Sequence, residues 1–413
     1  MSGSTGASNP TNDDLSTVRS GRRGQGYSAA VLAVVAVLLL VIGLGAGITL
    51  QRYVLTSGGG GSSSVTISET GSSLIFPLFQ LWGPAYEKLY PNVNVAPVSS
   101  GSGTGISSAE AGTVDIGGTD AYINGSTSSQ YHLLDIATAI SALLVFYNLP
   151  GVSSHINLNG TVIAMIYDGA ITMWNDPLIQ AANPGVSLPA QTIVPIHRSD
   201  GSGDTYMFTQ FCYLSWKGWP NGYGTTVPWI KSSPGGAGNS GMVTTLQNTK
   251  YGIAYIGISY KTQAVSAGLQ YAALGDQAAN VNGTSSANYV LPTPDTISQD
   301  ANLGLQYLQP PSLAISLILG GVPGAITLKL GAGGTLPTSG YPTPYPIVNL
   351  ENLLIPVSSS NPSHVKEVVQ FLGWALSYGQ SASVFMTPVN FLPLTPAVIG
   401  YDMLALQGVS ISS

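Results

Sequence analysis

The sequence predicts an α/β fold. Between residues 65 and 117, strand-like and helix-like segments alternate as β-α-β-α-β, the order expected of parallel strands joined by crossover helices. The chain has 413 residues and is 44% hydrophobic, enough for about two domains with ample core. Charged residues make up only 7%, against roughly 25% in ordinary soluble proteins, but the hydrophobic content argues against a disordered chain. An uncharged polar exterior of this kind suits a protein outside the cell. The formal net charge of −6 provides no basic patch, so nucleic acid is not expected as a partner. Few carboxylates are available to titrate, which would limit acid denaturation.

Residues 1–28 are polar and carry Arg19, Arg22 and Arg23 just before an apolar run at 29–50. That run holds no charge and is long enough to cross a bilayer. The arginines place its N-terminal side in the cytoplasm and the bulk of the chain outside. A retained transmembrane signal anchor is expected rather than a cleaved signal, whose apolar core is usually about 7–15 residues. Residues 51–64, rich in Gly and Ser, then form a flexible linker.

The folded part begins near Val65 with a strand at 65–68. A helix follows at 77–89, with Phe79, Leu81, Trp82, Tyr86 and Leu89 at helical spacing. Next come a strand at 92–97, a glycine turn leading into a helix from about Ile106, and a strand at 114–117. A long apolar strand occupies 140–147, helices 160–173 and 204–214, and a buried strand 252–257. Residues 264–345, rich in Gly, Pro, Ser and Asn, carry no clear periodicity. The last predicted helix spans 362–378. The single cysteine, Cys212, excludes an intrachain disulfide and reads as a buried, inert thiol. Asn124, Asn159 and Asn282 begin glycosylation sequons, which a chain this rich in Ser and Thr also contains by chance.

Arg198 is the only arginine after Arg52, and it stands in His197-Arg198-Ser199-Asp200-Gly201-Ser202-Gly203-Asp204. Its planar fork of donors suits a carboxylate or a phosphate; from the loop alone, a structural ion pair with Asp200 or Asp204 is an equal alternative. Three segments place glycine and hydroxyl residues just before a helix: Gly71-Ser72-Ser73-Leu74-Ile75, Gly101-Ser102-Gly103-Thr104-Gly105 and Gly201-Ser202-Gly203-Asp204. A helix N-terminus offers unpaired N–H groups and about half a positive charge. Three such segments, one beside the lone arginine, point to an oxyanion site.

Enzyme chemistry finds less support. Neither Ser102 nor Ser202 lies in a Gly-x-Ser-x-Gly elbow, and no P-loop is present. His132, His155, His197 and His364 are scattered, so no metal site is expected, nor any cofactor. His197 reads as structural.

Taken together, six stretches carry a resemblance. They are Thr70-Gly-Ser-Ser-Leu-Ile-Phe-Pro77, Gly101-Ser-Gly-Thr-Gly105 and Ala111-Gly-Thr-Val-Asp-Ile-Gly-Gly-Thr-Asp-Ala121, then Ile166-Tyr-Asp-Gly-Ala-Ile-Thr-Met-Trp-Asn-Asp-Pro177, His197-Arg-Ser-Asp-Gly-Ser-Gly203 and Gly252-Ile-Ala-Tyr-Ile-Gly257. In this order and spacing the chain resembles the phosphate-binding component of ABC phosphate importers, the PstS family of substrate-binding proteins. The resemblance implies a two-lobe, periplasmic-binding-protein-like (type II) α/β fold with a hinge, behind the N-terminal transmembrane helix. Lobe one would comprise 65–140 and 345–413, lobe two 141–344, with hinge crossings near Ile140–Ser141 and Tyr345–Pro346. It implies a receptor that captures inorganic phosphate and hands it to permease and ATPase subunits. Carried over by motif, Ser72, Ser73, the N–H of Leu74, Ser102 and Asp120 would face the anion from one lobe. Arg198, Ser202, Gly203 and Asp204 would face it from the other.

The resemblance casts Asp120 as an acceptor; taken alone it is as well suited to capping a helix or turn. An ionised carboxylate accepts hydrogen bonds but donates none, so it can face a protonated phosphate oxygen and repel sulfate. The family often has threonine where this chain has Asp204. If Asp120 and Asp204 both accept, the monobasic ion is the expected ligand; if Asp204 caps its helix or pairs with Arg198, it is not. An exported phosphatase on the same scaffold and a receptor for another tetrahedral oxyanion are the competing functions.

Overall fold

The computed structural model describes residues 64–123, 125–275, 289–305, 344–357 and 362–412. The expected tail, anchor and most of the linker lie outside them. Among the described residues, no helix is long and apolar enough to cross a membrane.

The chain opens with β1 (Val65–Gly71), α1 (Phe76–Leu89), β2 (Val93–Ser99), α2 (Ser102–Glu110) and β3 (Ile116–Thr119). β1 pairs in parallel with β2, Ile67 opposite Val95, and with β3, Thr70 opposite Gly117. Pro77 in the first turn of α1 occupies a place where its missing N–H goes unused. Phe79, Trp82 and Tyr86 form the buried stripe expected of α1, whereas Leu89 is 58% exposed. Helix α2 starts at Ser102, one turn before the expected Ile106. Glycines usually weaken a helix, by about 1 kcal/mol each against alanine. Here close packing requires one: a Cβ at Gly105 would stand 2.3 Å from the carbonyl oxygen of Gly118 on β3.

Next come α3 (Gly125–Tyr131), β4 (Leu133–Tyr147), β5 (Asn157–Leu158), α4 (Gly160–Asp168), α5 (Pro177–Ala182) and β6 (Val194–Arg198). They are followed by α6 (Gly203–Ser215), β7 (Gly235–Gly236), α7 (Gly238–Asn248), β8 (Gly252–Gly257) and α8 (Lys261–Ser266). Short strands β9 (Gln270–Tyr271), β10 (Ala273–Gly275) and β11 (Tyr289–Val290) precede α9 (Pro294–Leu305). β12 (Val348–Pro356), α10 (Pro362–Ala375) and α11 (Pro396–Ser412) complete the chain. Asn159 is buried and accepts from the N–H of Val162 at 2.9 Å, so this sequon asparagine serves as the N-cap of α4. Gly169, at φ 86°, ends α4 in a left-handed cap short of the expected Met173.

The main sheet runs β2-β1-β3-β12-β4-β8-β6-β7, with β9 also on β4. It is mixed, not parallel as expected: β12 lies antiparallel to β3 and β4, and β4 antiparallel to β8. Continuous apolar runs reveal buried strands but not their direction. β4 is longer than expected and changes partner midway. Ala142 still faces Val348 on β12, while Leu143 faces Gly257 on β8.

On the β12 side, Phe79, Trp82 and Tyr86 of α1 pack against Phe371 of α10. Beyond the switch, Tyr167, Phe208, Trp229 and Tyr255 form a second aromatic group. Cys212 is buried in α6, and burial raises its thiol well above the usual range. The ends of β1, β3 and β6 and the starts of α2, α6 and α7 meet where an open α/β sheet commonly presents its binding residues.

Candidate functional site

Two linked groups of buried polar residues occupy this meeting point. The first centres on Asp120, just past β3. Ser72 donates through Oγ to Asp120 Oδ1, and Ser102 Oγ donates to Oδ2 at 3.2 Å. Ser102 Oγ in turn accepts from the backbone N–H of Asp120 at 3.3 Å, and Asn349 Nδ2 on β12 donates to the Asp120 carbonyl at 2.9 Å. Asp120 is therefore held by four hydrogen bonds with three residues, its carboxyl presented as an acceptor.

The second group centres on Arg198, at the end of β6 and only 4% exposed. Its Nε donates to Asp200 Oδ1 at 2.8 Å and its Nη2 to Asp200 Oδ2, a two-point ion pair. Nη1 donates to Asp204 Oδ2 at 2.6 Å. Of five guanidinium N–H donors, these bonds use three. Tyr255, on β8, links backbone and helix: its hydroxyl accepts from the Arg198 N–H at 2.9 Å and pairs with Thr205 Oγ1 at 2.7 Å.

Asn239 joins the first loop to the Arg198 group. Its backbone N–H and Nδ2 both reach Ser73 Oγ at 3.0 Å, Nδ2 also reaches Asp204 Oδ2 at 2.7 Å, and Oδ1 accepts from the Gly257 N–H at 2.7 Å. The glycine loops also touch directly, the N–H of Gly103 donating to the Gly201 carbonyl at 2.9 Å.

The electrostatics follow from burial around one guanidinium. Burial opposes the charge of Arg198, but its bond to Asp200 and the charges of Asp204 and Asp200 more than offset this and hold it firmly protonated. Burial likewise opposes ionisation of Asp200, yet Arg198 brings its carboxyl below the usual value. Asp204 goes the other way. Burial first, then the charge of Asp120, lift it to about 7 against the pull of Arg198 and Asn239.

A PBP superfamily domain matches residues 56–307. The phosphate-binding protein PstS of Haemophilus influenzae is 30% identical over 337 residues, 81% of this chain and 90% of that relative. The chain belongs to the PstS family. PstS of Methanocaldococcus jannaschii is 30% identical over 410 residues, covering 90% of this chain and 95% of its own. Among solved structures, a phosphate-binding protein from Stenotrophomonas maltophilia shares the fold at a TM-score of 0.57 with 18% identity, covering 83% of this chain and 94% of that one. A putative phosphate ABC transporter substrate-binding protein from Clostridium perfringens, solved with bound phosphate, aligns at 0.53 with 16% identity, over 80% of this chain and 100% of that one.

Every residue carried over from the PstS pattern falls in or beside these groups, but some of their bonding groups are turned inward. The N–H of Leu74 donates to Ser72 Oγ at 3.0 Å, closing the turn after β1. Ser202 Oγ accepts from the Thr205 N–H at 3.2 Å and caps α6, while its hydroxyl hydrogen remains to donate. Gly203 abuts Asp120 and Ser102. Asp204 pairs with Arg198, the alternative that the sequence left open. His197 is structural, its Nδ1 2.8 Å from Ser233 Oγ and its ring against Trp229.

Sequence reasoning missed Asn239, Asn349 and Glu351. Asn239 lies in Gly238-Asn239-Ser240-Gly241, the first turn of α7, the same small-and-polar pattern as the other three segments. Asn349 and Glu351 interrupt the apolar run of β12. Glu351 is fully buried and accepts from Ser141 Oγ. Burial and then the charge of Asp120 keep its carboxyl well above the usual range.

Proposed function

We propose that the chain is the receptor of an ABC phosphate importer, capturing inorganic phosphate and delivering it to permease and ATPase subunits. PstS-family proteins are binding proteins, not enzymes, so no reaction is assigned. The observation that carries the ligand assignment is the meeting of a fixed acceptor, Asp120, with a buried arginine that keeps donors in reserve. A protonated phosphate oxygen can donate to Asp120 while its other oxygens take hydrogen bonds from Arg198, Ser73, Ser202 and the first N–H groups of α6 at Gly203 and Asp204. Sulfate has no proton for Asp120 and would set a bare oxygen against it.

The binding residues fall into two sets, and this supports lobes at 65–140 with 345–413, and at 141–344. The partner switch of β4 between Ala142 and Leu143 supports a hinge there, with Tyr345 Oη donating to the Leu143 carbonyl at 3.1 Å at the second crossing. Only the closed state gains both sets of anion contacts, so phosphate favours closure. The apolar run at 29–50 would hold the receptor at the outer face of the cell membrane, with 51–64 as tether.

Equilibrium titration of the full chain in detergent with phosphate, arsenate and sulfate tests this reading. Saturable binding of phosphate and arsenate is expected. Binding of none of the three would remove the oxyanion assignment.

A further inference from the structure

Asp204 carries two unlike oxygens. Oδ2 accepts from Arg198 Nη1 at 2.6 Å and Asn239 Nδ2 at 2.7 Å. Oδ1 is buried and has no hydrogen-bond partner among the described residues. An unpartnered carboxylate oxygen in a fully buried side chain is costly, whereas a protonated one becomes a donor.

The surroundings decide which group holds a proton. Asp120 faces Asp204 from the end of β3, Asp200 from the loop after β6, and Glu351 from β12. Tyr255 on β8 and Tyr260 after it complete the titratable set. Arg198 is the cation acting on Asp204, and two of its nitrogens are already given to Asp200. One guanidinium cannot balance Asp120, Asp200, Asp204 and an incoming anion in a site of low dielectric. Asp200 is held ionised by its two-point pair, and it also accepts from the Gly238 N–H at 3.0 Å. Both Asp120 oxygens accept from serines. Glu351 is held as the neutral acid by burial and the charge of Asp120, and its Oε2 likewise has no partner among the described residues. Of the three aspartates, Asp204 offers through Oδ1 the place left for a proton.

We infer that Asp204 engages phosphate as the neutral acid, its Oδ1–H donating to a ligand oxygen, so that loading above neutrality draws one proton from solvent at this residue. The inference rests on the phosphate-receptor reading above. It replaces two accepting carboxylates with one acceptor, Asp120, and one donor, Asp204. The dibasic ion then suffices, because its single proton serves Asp120. The rise of the Asp204 carboxyl to about 7, caused by burial and then by Asp120, agrees with this geometry. Loading would therefore weaken in alkaline surroundings for a reason that lies in the protein as well as in the ligand.

Phosphate affinity of the full chain is to be measured from about pH 4 to about pH 8 for wild type, Asp204→Thr and Asp204→Asn, whose donors do not titrate. Ionisation of the ligand acts on all three and cancels in the ratios. The wild-type to variant affinity ratio should fall about tenfold per pH unit above about pH 7. Phosphorus NMR of the wild-type complex, which depends on no variant folding, should show the bound ion as dibasic. A ratio that stays flat would overturn the inference, and so would a monobasic bound ion, which would place the proton on the ligand. Failure of the wild type to bind phosphate at any pH would instead overturn the receptor reading, and this proposal with it.

Discussion

Gly203 stands directly against Asp120. A Cβ built at Gly203 would lie 2.6 Å from Asp120 Cβ and 2.7 Å from both Asp120 Oδ2 and Ser102 Oγ. The backbone after β6 thus lies directly against the side chains of Asp120 and Ser102, where an added methyl group has no room.

Gly203→Ala is therefore expected to weaken phosphate binding at least tenfold. Alanine favours a helix start no less than glycine, so the helix itself should not suffer. If the two segments belong to separate lobes, the clash is relieved by leaving the cleft ajar, and the thermal midpoint should shift little. Calorimetric binding and thermal denaturation on the same preparation check this. Unchanged affinity would mean that the cleft does not need to close at Gly203.

Arg198→Lys keeps the charge but loses the fork. Lysine cannot hold both oxygens of Asp200 and Oδ2 of Asp204 at once, as Nε, Nη2 and Nη1 do now. A hydrogen bond to a charged group contributes about 1.5–3 kcal/mol, so affinity should fall roughly tenfold to a hundredfold. Stability should also fall, by about 1–3 kcal/mol, because buried carboxylate oxygens lose their partners. Phosphate titration and urea denaturation measure the two effects. Lost stability with intact affinity would make Arg198 purely structural.

Stability should decline as pH rises. Burial raises the carboxyl of Glu69 to about 8, Asp135 to about 7 and Asp402 to about 9. None of the three forms an ion pair among the described residues. Their folded values exceed the unfolded ones near 4, so the native state binds more protons in between. The resulting stability is complete below about pH 4 and is lost as pH climbs through about 7 to 9. At about 1.4 kcal/mol per unit, Glu69 and Asp402 together would account for several kcal/mol. Urea midpoints at pH 5 and pH 9 check the sign. A higher midpoint at pH 9 would show that these carboxyls ionise freely in the fold.

The parts of this site legible in the sequence were those where function restricts residue type within a few positions. Arg198 stood out because arginine is otherwise absent from the folded part, and Asp120 because Gly-Gly-Thr-Asp places it in a family motif. Asn239 and Glu351 act through tertiary placement. A single Asn in the first turn of α7 and a single Glu inside β12 gain meaning only once α7 and β12 are brought against the loops after β1 and β3. The same limit applies to the fold. Hydrophobic runs located β4 and β8, but the direction of β12 and the partner switch of β4 depend on pairing with strands far away in sequence. Glycines hid the start of α2, since Gly105 serves close packing against β3 and Gly103 the close approach of Gly201, leaving only Gly101, at φ 95°, to the turn.

Asp120→Asn tests the central claim most directly. The substitution keeps the size of the side chain but places an N–H₂ donor where the Asp120 carboxyl now presents only acceptors. Phosphate and sulfate are titrated side by side into wild type and variant at fixed pH and ionic strength. The account predicts that wild type binds phosphate and not sulfate, and that the variant narrows this preference by at least tenfold, losing phosphate affinity while gaining sulfate. Equal binding of both anions by the wild type, or a preference unchanged in Asp120→Asn, would contradict it.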